Sequence, residues 1–500
     1  MIRYKDLWVP IRLHERCLPI AVLLFGLLFS FSVASSEAAE ELEWQPCPLS
    51  GSDGGVVRYA ECTTLERPLD PSGEIPGTIT LAVARIRGES PKRPDDAVLA
   101  INGGPGGASR DMLVDLWPAF QALAADRDII VMDQRGTGAS SPLRCDSAAA
   151  LDIHSPEAIA EEARKCIATL PHDPRFFTTS VAVTDFEALR IALGIRQWNV
   201  YGVSYGTRVA AYFARQYPTS TRSLILDSVV PPTLILGANV VTNSQEALEA
   251  LDARCLEDPA CKNTFGSVLA ILKRLKSEWT EAVVVELPDP VTGKPEPVEV
   301  TYEHLAAVIR LLLYAPETAA IIPLIVHEAG RGNFLPTAAQ GNLLLSRLSD
   351  SLSGAMHNSV VCTEDVPFFG AAEDAREVLD QTYLGAAMID SLKAVCAVWP
   401  LGPMDDQLHE PLKSAIPTLL MAGELDPITP PYYAHQAQEG LTNARTLVVD
   451  GQGHSVLARG CVVRLTTEFL DTLQPKALLE DCLAYSPRLP PFIDMLGPAP

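Results

Sequence analysis

The feature that most constrains the fold is an alternation of short apolar runs with stretches of helical period. "TITLAVARI" (78–86), "AVLAIN" (97–102) and "DIIVMD" (128–133) read as buried strands. "SVAVTDFEALRIAL" (180–193) instead sets Val181, Phe186, Leu189 and Leu193 along one side of a helix. "QWNVYGV" (197–203) is a further strand, followed by the helical "GTRVAAYFARQY", which Pro218 closes. "RSLILDSVV" (222–230) is another strand, stopped by Pro231 and Pro232. Strands that alternate with helices imply an α/β fold, with a mostly parallel central sheet flanked by helices on both faces.

The pattern breaks and then resumes. From about 233 to 410, segments such as "FGSVLAILKRLKSEW" and "YEHLAAVIRLLLYA" are helical in period, with few strand signals. "IPTLLMAG" (416–423) and "ARTLVVDG" (444–451) then return to buried strands around a helix-like "PPYYAHQAQEGL". The expected organisation is a leader at 1–38, a first core part at 39–232 and a mainly helical cap at 233–410. A second core part follows at 411–485, and a Pro-rich tail at 486–500.

Within that frame Gly202-Val203-Ser204-Tyr205-Gly206 fits G-x-S-x-G. The pattern alone is weak, because a small serine between glycines also suits an ordinary turn. Its setting adds weight: a strand runs into Ser204 and a helix starts after it, the strand-to-helix elbow on which an α/β-hydrolase carries its nucleophile. The backbone N–H of Tyr205 would then be one oxyanion donor. A second is expected from "NGGPGG" at the end of the 97–102 strand, with Gly104 favoured and Gly103 in reserve. A phosphate-loop reading of these glycines fails, since no Lys-Ser/Thr follows at the required position.

Acid and base should come later in the chain, each after a strand. "TLLMAGELDPITP" puts Asp426 just beyond one strand, and "TLVVDGQGHSV" puts His454 just beyond the next. The expected catalytic set is therefore Ser204, Asp426 and His454, with Asp227 as the fallback acid. Asp426 could equally be a turn acid beside Pro427, and His454 a satisfied loop histidine; the shared order and strand-end position of all three residues favours the catalytic reading.

The N-terminus bears on compartment. Arg3, Lys5, Arg12 and Arg16 precede the 17-residue apolar run "LPIAVLLFGLLFSFSVA" (18–34), and small residues suited to cleavage follow. This reads as an export signal, the alternative being a retained anchor. Of 11 cysteines one, Cys17, falls in the leader, and the remaining even set suggests disulfides. Neighbour pairing is expected (47 with 62, 145 with 166, 255 with 261, 362 with 396, 461 with 482), although spacing alone does not fix connectivity. No C-x-x-C, H-E-x-x-H or mixed Cys/His cluster asks for a metal, and nothing asks for a cofactor. A net charge of −23 argues against a nucleic-acid partner. No stable membrane insertion is expected unless the leader is retained, and oligomeric state is not legible.

"NGGPGG", "DQRGTGAS", "GVSYGT", "AGELDPITP" and "GQGHS" together resemble the proline iminopeptidase and tripeptidyl aminopeptidase branch of the α/β-hydrolases. "ECTTLERPLDP", "SPLRC" and the run from "VVCTEDVPFF" onward look closer to the tripeptidyl group. Asn102 departs from the histidine that iminopeptidases carry before the glycines, which puts a proline preference in doubt. The resemblance implies an exported serine exopeptidase that takes short peptides from a free N-terminus through an acyl-enzyme. It also implies that "DQRGTGAS" walls the oxyanion loop, Arg135 ordering it through hydrogen bonds. A carboxylesterase or lipase, an acyltransferase and a non-catalytic binder on the same fold are the competing readings. An aminopeptidase needs carboxylates at a fixed depth to hold the substrate ammonium, and Glu364 and Asp365 in "HNSVVCTEDVPFF" are the expected anchors under the cap.

Overall fold

Alternate residues of each central strand point to opposite faces, and here both faces are covered. Leu99, Ile101, Val200, Leu224 and Leu420 enter one apolar core. Their neighbours Val98, Ala100, Tyr201, Ile225, Leu419 and Met421 enter the other. With no polar side to alternate, such strands show as continuous apolar runs.

The computed structural model describes residues 42–499 apart from 53, 56, 91–95, 146–154, 290–291, 371–374 and 486–487. The expected leader, its cleavage positions and Cys17 lie outside the described residues. The strands before the insertion are β1 (Gln45–Ser50), β2 (Val57–Pro68), β3 (Thr78–Ile86), β4 (Val98–Ile101), β5 (Ile129–Met132), β6 (Trp198–Val203) and β7 (Thr221–Asp227). β8 (Val283–Pro288) and β9 (Pro295–Val300) form a separate antiparallel hairpin within the insertion. β10 (Thr418–Gly423) and β11 (Ala444–Val449) rejoin the main sheet, and a short hairpin of β12 (Phe492–Asp494) and β13 (Gly497–Pro498) follows.

The nine-stranded sheet has the order β1-β2-β3-β5-β4-β6-β7-β10-β11. From β5 to β11 every neighbouring pair is parallel. The other three strands join antiparallel at one edge. The hairpin of β1 and β2 escapes a search for apolar runs because half its residues face solvent. The β8–β9 hairpin escapes for the same reason.

The insertion has its own core, in which Leu248, Leu272, Leu305, Ile309 and Ile325 meet. The helix Gly354–Glu364 is different: its Met356, Val360, Val361 and Cys362 pack into the core of the hydrolase sheet. Five disulfides join Cys47–Cys62, Cys145–Cys166, Cys255–Cys261, Cys362–Cys396 and Cys461–Cys482. Each links neighbouring cysteines in sequence. Among the described residues no helix is long and apolar enough to cross a membrane.

Candidate active site

Ser204 sits between β6 and the helix Tyr205–Gln216 at φ 56°, ψ −128°. A side chain in this region is strained, and the strain persists only because the surroundings over-determine the turn. Gly202 and Gly206 show how. A Cβ on Gly202 would lie 2.3 Å from the Gly206 oxygen, and one on Gly206 would lie 2.5 Å from the Ile101 oxygen. Both positions require glycine, so that the helix can start directly against β6 and β4.

The Gly-rich loop closes on the same residue. A Cβ on Gly103 would stand 2.7 Å from Ser204 Cβ and 3.3 Å from its Oγ. The Gly103 amide is already committed, donating to Asn102 Oδ1 at 2.7 Å. Asn102 Nδ2 donates in turn to the Ala108 oxygen, which fixes the loop's curl. The following amide, Gly104, has no acceptor among the described residues. Tyr205 begins its helix, so its amide has no intrahelical acceptor either. Both amides are thus left without an acceptor within the loop or helix, the condition that an anion-binding N–H must meet.

Asp426 and His454 meet beyond β10 and β11. His454 Nδ1 lies 2.9 and 3.0 Å from the two Asp426 oxygens. Asp426 also accepts from the amides of Ile428 and Thr429 and from Thr429 Oγ1. Burial opposes its charge, but the His454 charge and hydrogen bond and the two amides outweigh burial and hold the carboxyl at about 2. For His454 burial disfavours the imidazolium, and Asp426, with help from Asp227, more than offsets it, so its pKa is raised. An ionised Asp426 on Nδ1 requires the proton there and leaves Nε2 as the open, basic nitrogen.

The backbones carrying Ser204 and His454 are tied to one strand end, that of β7. The Ser204 amide donates to the Asp227 oxygen at 2.9 Å. The next residue, Ser228, accepts from the amide of Ser455, beside His454. No hydrogen bond joins Ser204 Oγ to His454 here; such contacts often tighten only when substrate is bound. Asp227 itself is fully buried and accepts from the amides of Val456 and Leu457 and from Tyr201. It clamps the His454 loop, and the imidazole turns to Asp426.

Two family models match the chain: one described as "alpha/beta hydrolase fold" over residues 96–254, and one described as "TAP-like protein" over 381–482. The chain is a serine hydrolase of the α/β-hydrolase fold. Across its length this hydrolase is 24% identical to serine protease Hip1 of Mycobacterium tuberculosis, covering 88% of this chain and 90% of that protein. It is 24% identical to a tripeptidyl aminopeptidase of Streptomyces lividans, covering 92% and 90%. Carboxylesterase B of M. tuberculosis is 25% identical, at 88% and 90% coverage.

The hydrolase departs from expectation at the amine anchor. Glu364 and Asp365 are both fully buried. Glu364 accepts from the Thr179 amide and hydroxyl at 2.6 and 2.7 Å. Asp365 takes a two-pronged ion pair from Arg208, at 3.0 and 3.1 Å, and the amide of Leu236. The expectation is of carboxylates open under the cap; in the structure both are instead taken up by partners within the fold. Arg135, also fully buried, holds Asp185 and the carbonyls of Leu69 and Phe176.

Several site residues carry no motif. The Tyr314 oxygen accepts the His454 amide at 2.8 Å, and its ring stands edge-on to the imidazole at 5.1 Å. Ser353 donates its amide to Gly106, and His357 Nδ1 lies 3.2 Å from the Pro105 oxygen, so the 353–357 segment braces the Gly-rich loop. These contacts join residues far apart in sequence, and only Gly453, whose Cβ would lie 2.4 Å from the Tyr314 oxygen, leaves a trace in the composition.

Proposed function

We propose that this hydrolase is an exported serine aminopeptidase of short peptides. Ser204 Oγ attacks the carbonyl carbon of the scissile amide while His454 Nε2 takes its proton. The amides of Tyr205 and Gly104 hold the oxyanion. His454 then gives the proton to the leaving nitrogen, the C–N bond breaks, and an acyl-Ser204 ester remains. Water, activated by the same imidazole, hydrolyses that ester. Asp426 keeps the imidazole in the required tautomer and stabilises the imidazolium.

The observation that carries this reading is the pairing of His454 Nδ1 with an ionised Asp426 beside a serine held in a strained turn. The peptide preference is supported by the relatives named as a serine protease and a tripeptidyl aminopeptidase. Export is supported by the five disulfides, which persist in oxidising compartments. The relative named carboxylesterase B favours ester hydrolysis as the second reading. A panel of free and N-acetylated tripeptide anilides and a short acyl ester separates them. Faster cleavage of the free peptides supports an aminopeptidase; faster cleavage of the acetylated ones overturns it, and turnover of the ester alone supports an esterase.

A further inference from the structure

The insertion brings an arginine toward the imidazole of His454 with no carboxylate beside it among the described residues. Arg310 lies in the last turn of the helix Tyr302–Leu312, and Tyr314 follows just beyond its end. Its guanidinium carbon is 6.0 Å from the Tyr314 ring centre, and that ring is 5.1 Å from the imidazole of His454. Among the described residues Arg310 has no carboxylate partner and no hydrogen bond. Its Nε is buried with nothing to donate to. Its charge reaches both His454 and His357, opposing protonation of each. The other buried arginines of the fold hold acids, as Arg135 holds Asp185 and Arg208 holds Asp365. A half-buried guanidinium that nothing among the described residues neutralises is suited to an anion from outside.

Resting on the peptidase reading, we infer that Arg310 binds the free C-terminal carboxylate of a short peptide substrate. The side of the site follows from the chemistry. His454 must stand next to the leaving nitrogen to protonate it, so a group reached from His454 through Tyr314 lies along the leaving portion. That portion ends in the substrate's carboxylate. Contacts of 6.0 and 5.1 Å keep the guanidinium within their sum of the imidazole, and at about 3.3–3.6 Å per extended residue that is a reach of no more than about three residues. The guanidinium thereby measures peptide length from the C-terminal side and favours small peptides over protein chains.

The test uses the full mature protein and two tetrapeptides of one sequence, one ending in a free carboxylate and one in a carboxamide, with a short uncharged ester as a third substrate. The native enzyme is expected to favour the free acid by about ten- to a hundredfold in kcat/KM, the range for a charged hydrogen bond. In Arg310→Met that ratio should collapse toward one, mainly through KM, and Arg310→Lys should restore part of it. Ester turnover and circular dichroism report whether each variant has folded. Equal native rates on acid and amide, or equal losses on both in Arg310→Met, overturn the inference while leaving the peptidase reading standing. Turnover of the ester with neither peptide cleaved overturns the peptidase reading, and this inference with it.

Discussion

Replacing Glu364 with glutamine separates a scaffold carboxyl from a substrate anchor. Burial, aided by the neighbouring Asp365 charge, raises the Glu364 pKa from 4.5 to about 7, against the pull of Arg208 and Thr179. A group whose pKa is raised on folding binds its proton more tightly in the native state. Its protonated form therefore supports the fold below pH 4.5, and that support is lost as pH rises through 7. The rise from 4.5 to about 7, at about 1.36 kcal/mol per pKa unit, corresponds to roughly 3 kcal/mol. Glutamine keeps an acceptor for the Thr179 amide and never ionises. The stability of Glu364→Gln relative to native should thus shift in the variant's favour by roughly that amount between pH 4.5 and pH 8. Denaturant unfolding followed by tryptophan fluorescence at both pH values reads the difference. The kinetics of free peptides and of a neutral ester should change alike, and little. An offset that is the same at both pH values refutes the electrostatic argument. A selective loss on free peptides refutes the scaffold assignment and returns Glu364 to the substrate.

Asp426→Asn should lower turnover by several powers of ten, as expected when the imidazole loses the partner that fixes its tautomer. The working base is the neutral imidazole, and Asp426 raises its pKa, so the acidic limb of native kcat/KM should lie above pH 6.5. That limb should move to lower pH in the variant; a pH–rate profile with an unmoved limb contradicts the pairing. Gly206→Ala would push a methyl to 2.5 Å from the Ile101 oxygen and 2.7 Å from the Asn102 oxygen. Activity should fall far more than in Gly332→Ala, where nothing stands within 4 Å of the added carbon, although its positive φ carries a strain of its own. Comparable activity in the two variants would show that the elbow tolerates rearrangement.

The central sheet was legible because full burial writes itself as unbroken apolar runs, and those at 78–86, 97–102 and 197–203 fall on β3, β4 and β6. The edge hairpin of β1 and β2 was not, since its residues alternate between core and solvent without an apolar surplus. Positions at strand ends were readable for Ser204, Asp426 and His454, because the punctuation after a buried strand is local. Tyr314, Ser353 and His357 reach the site from the insertion through backbone groups and ring packing, which place no demand on motif. Glu364 and Asp365 misled for a related reason. An acidic pair beside a cysteine looks the same whether it faces a cavity or an arginine, and Arg208, which decides the matter, stands on a helix 157 residues from Asp365.

The assignment of Ser204 as nucleophile, activated by His454 and Asp426, makes a chemical prediction. Its most direct test is covalent: native protein treated with a fluorophosphonate, digested and mapped, beside Ser204→Ala treated alike. One phosphonylated peptide containing Ser204, with labelling and turnover both abolished in the variant, is the predicted result. Labelling that persists in Ser204→Ala, or a native protein that takes up label at another serine, contradicts it.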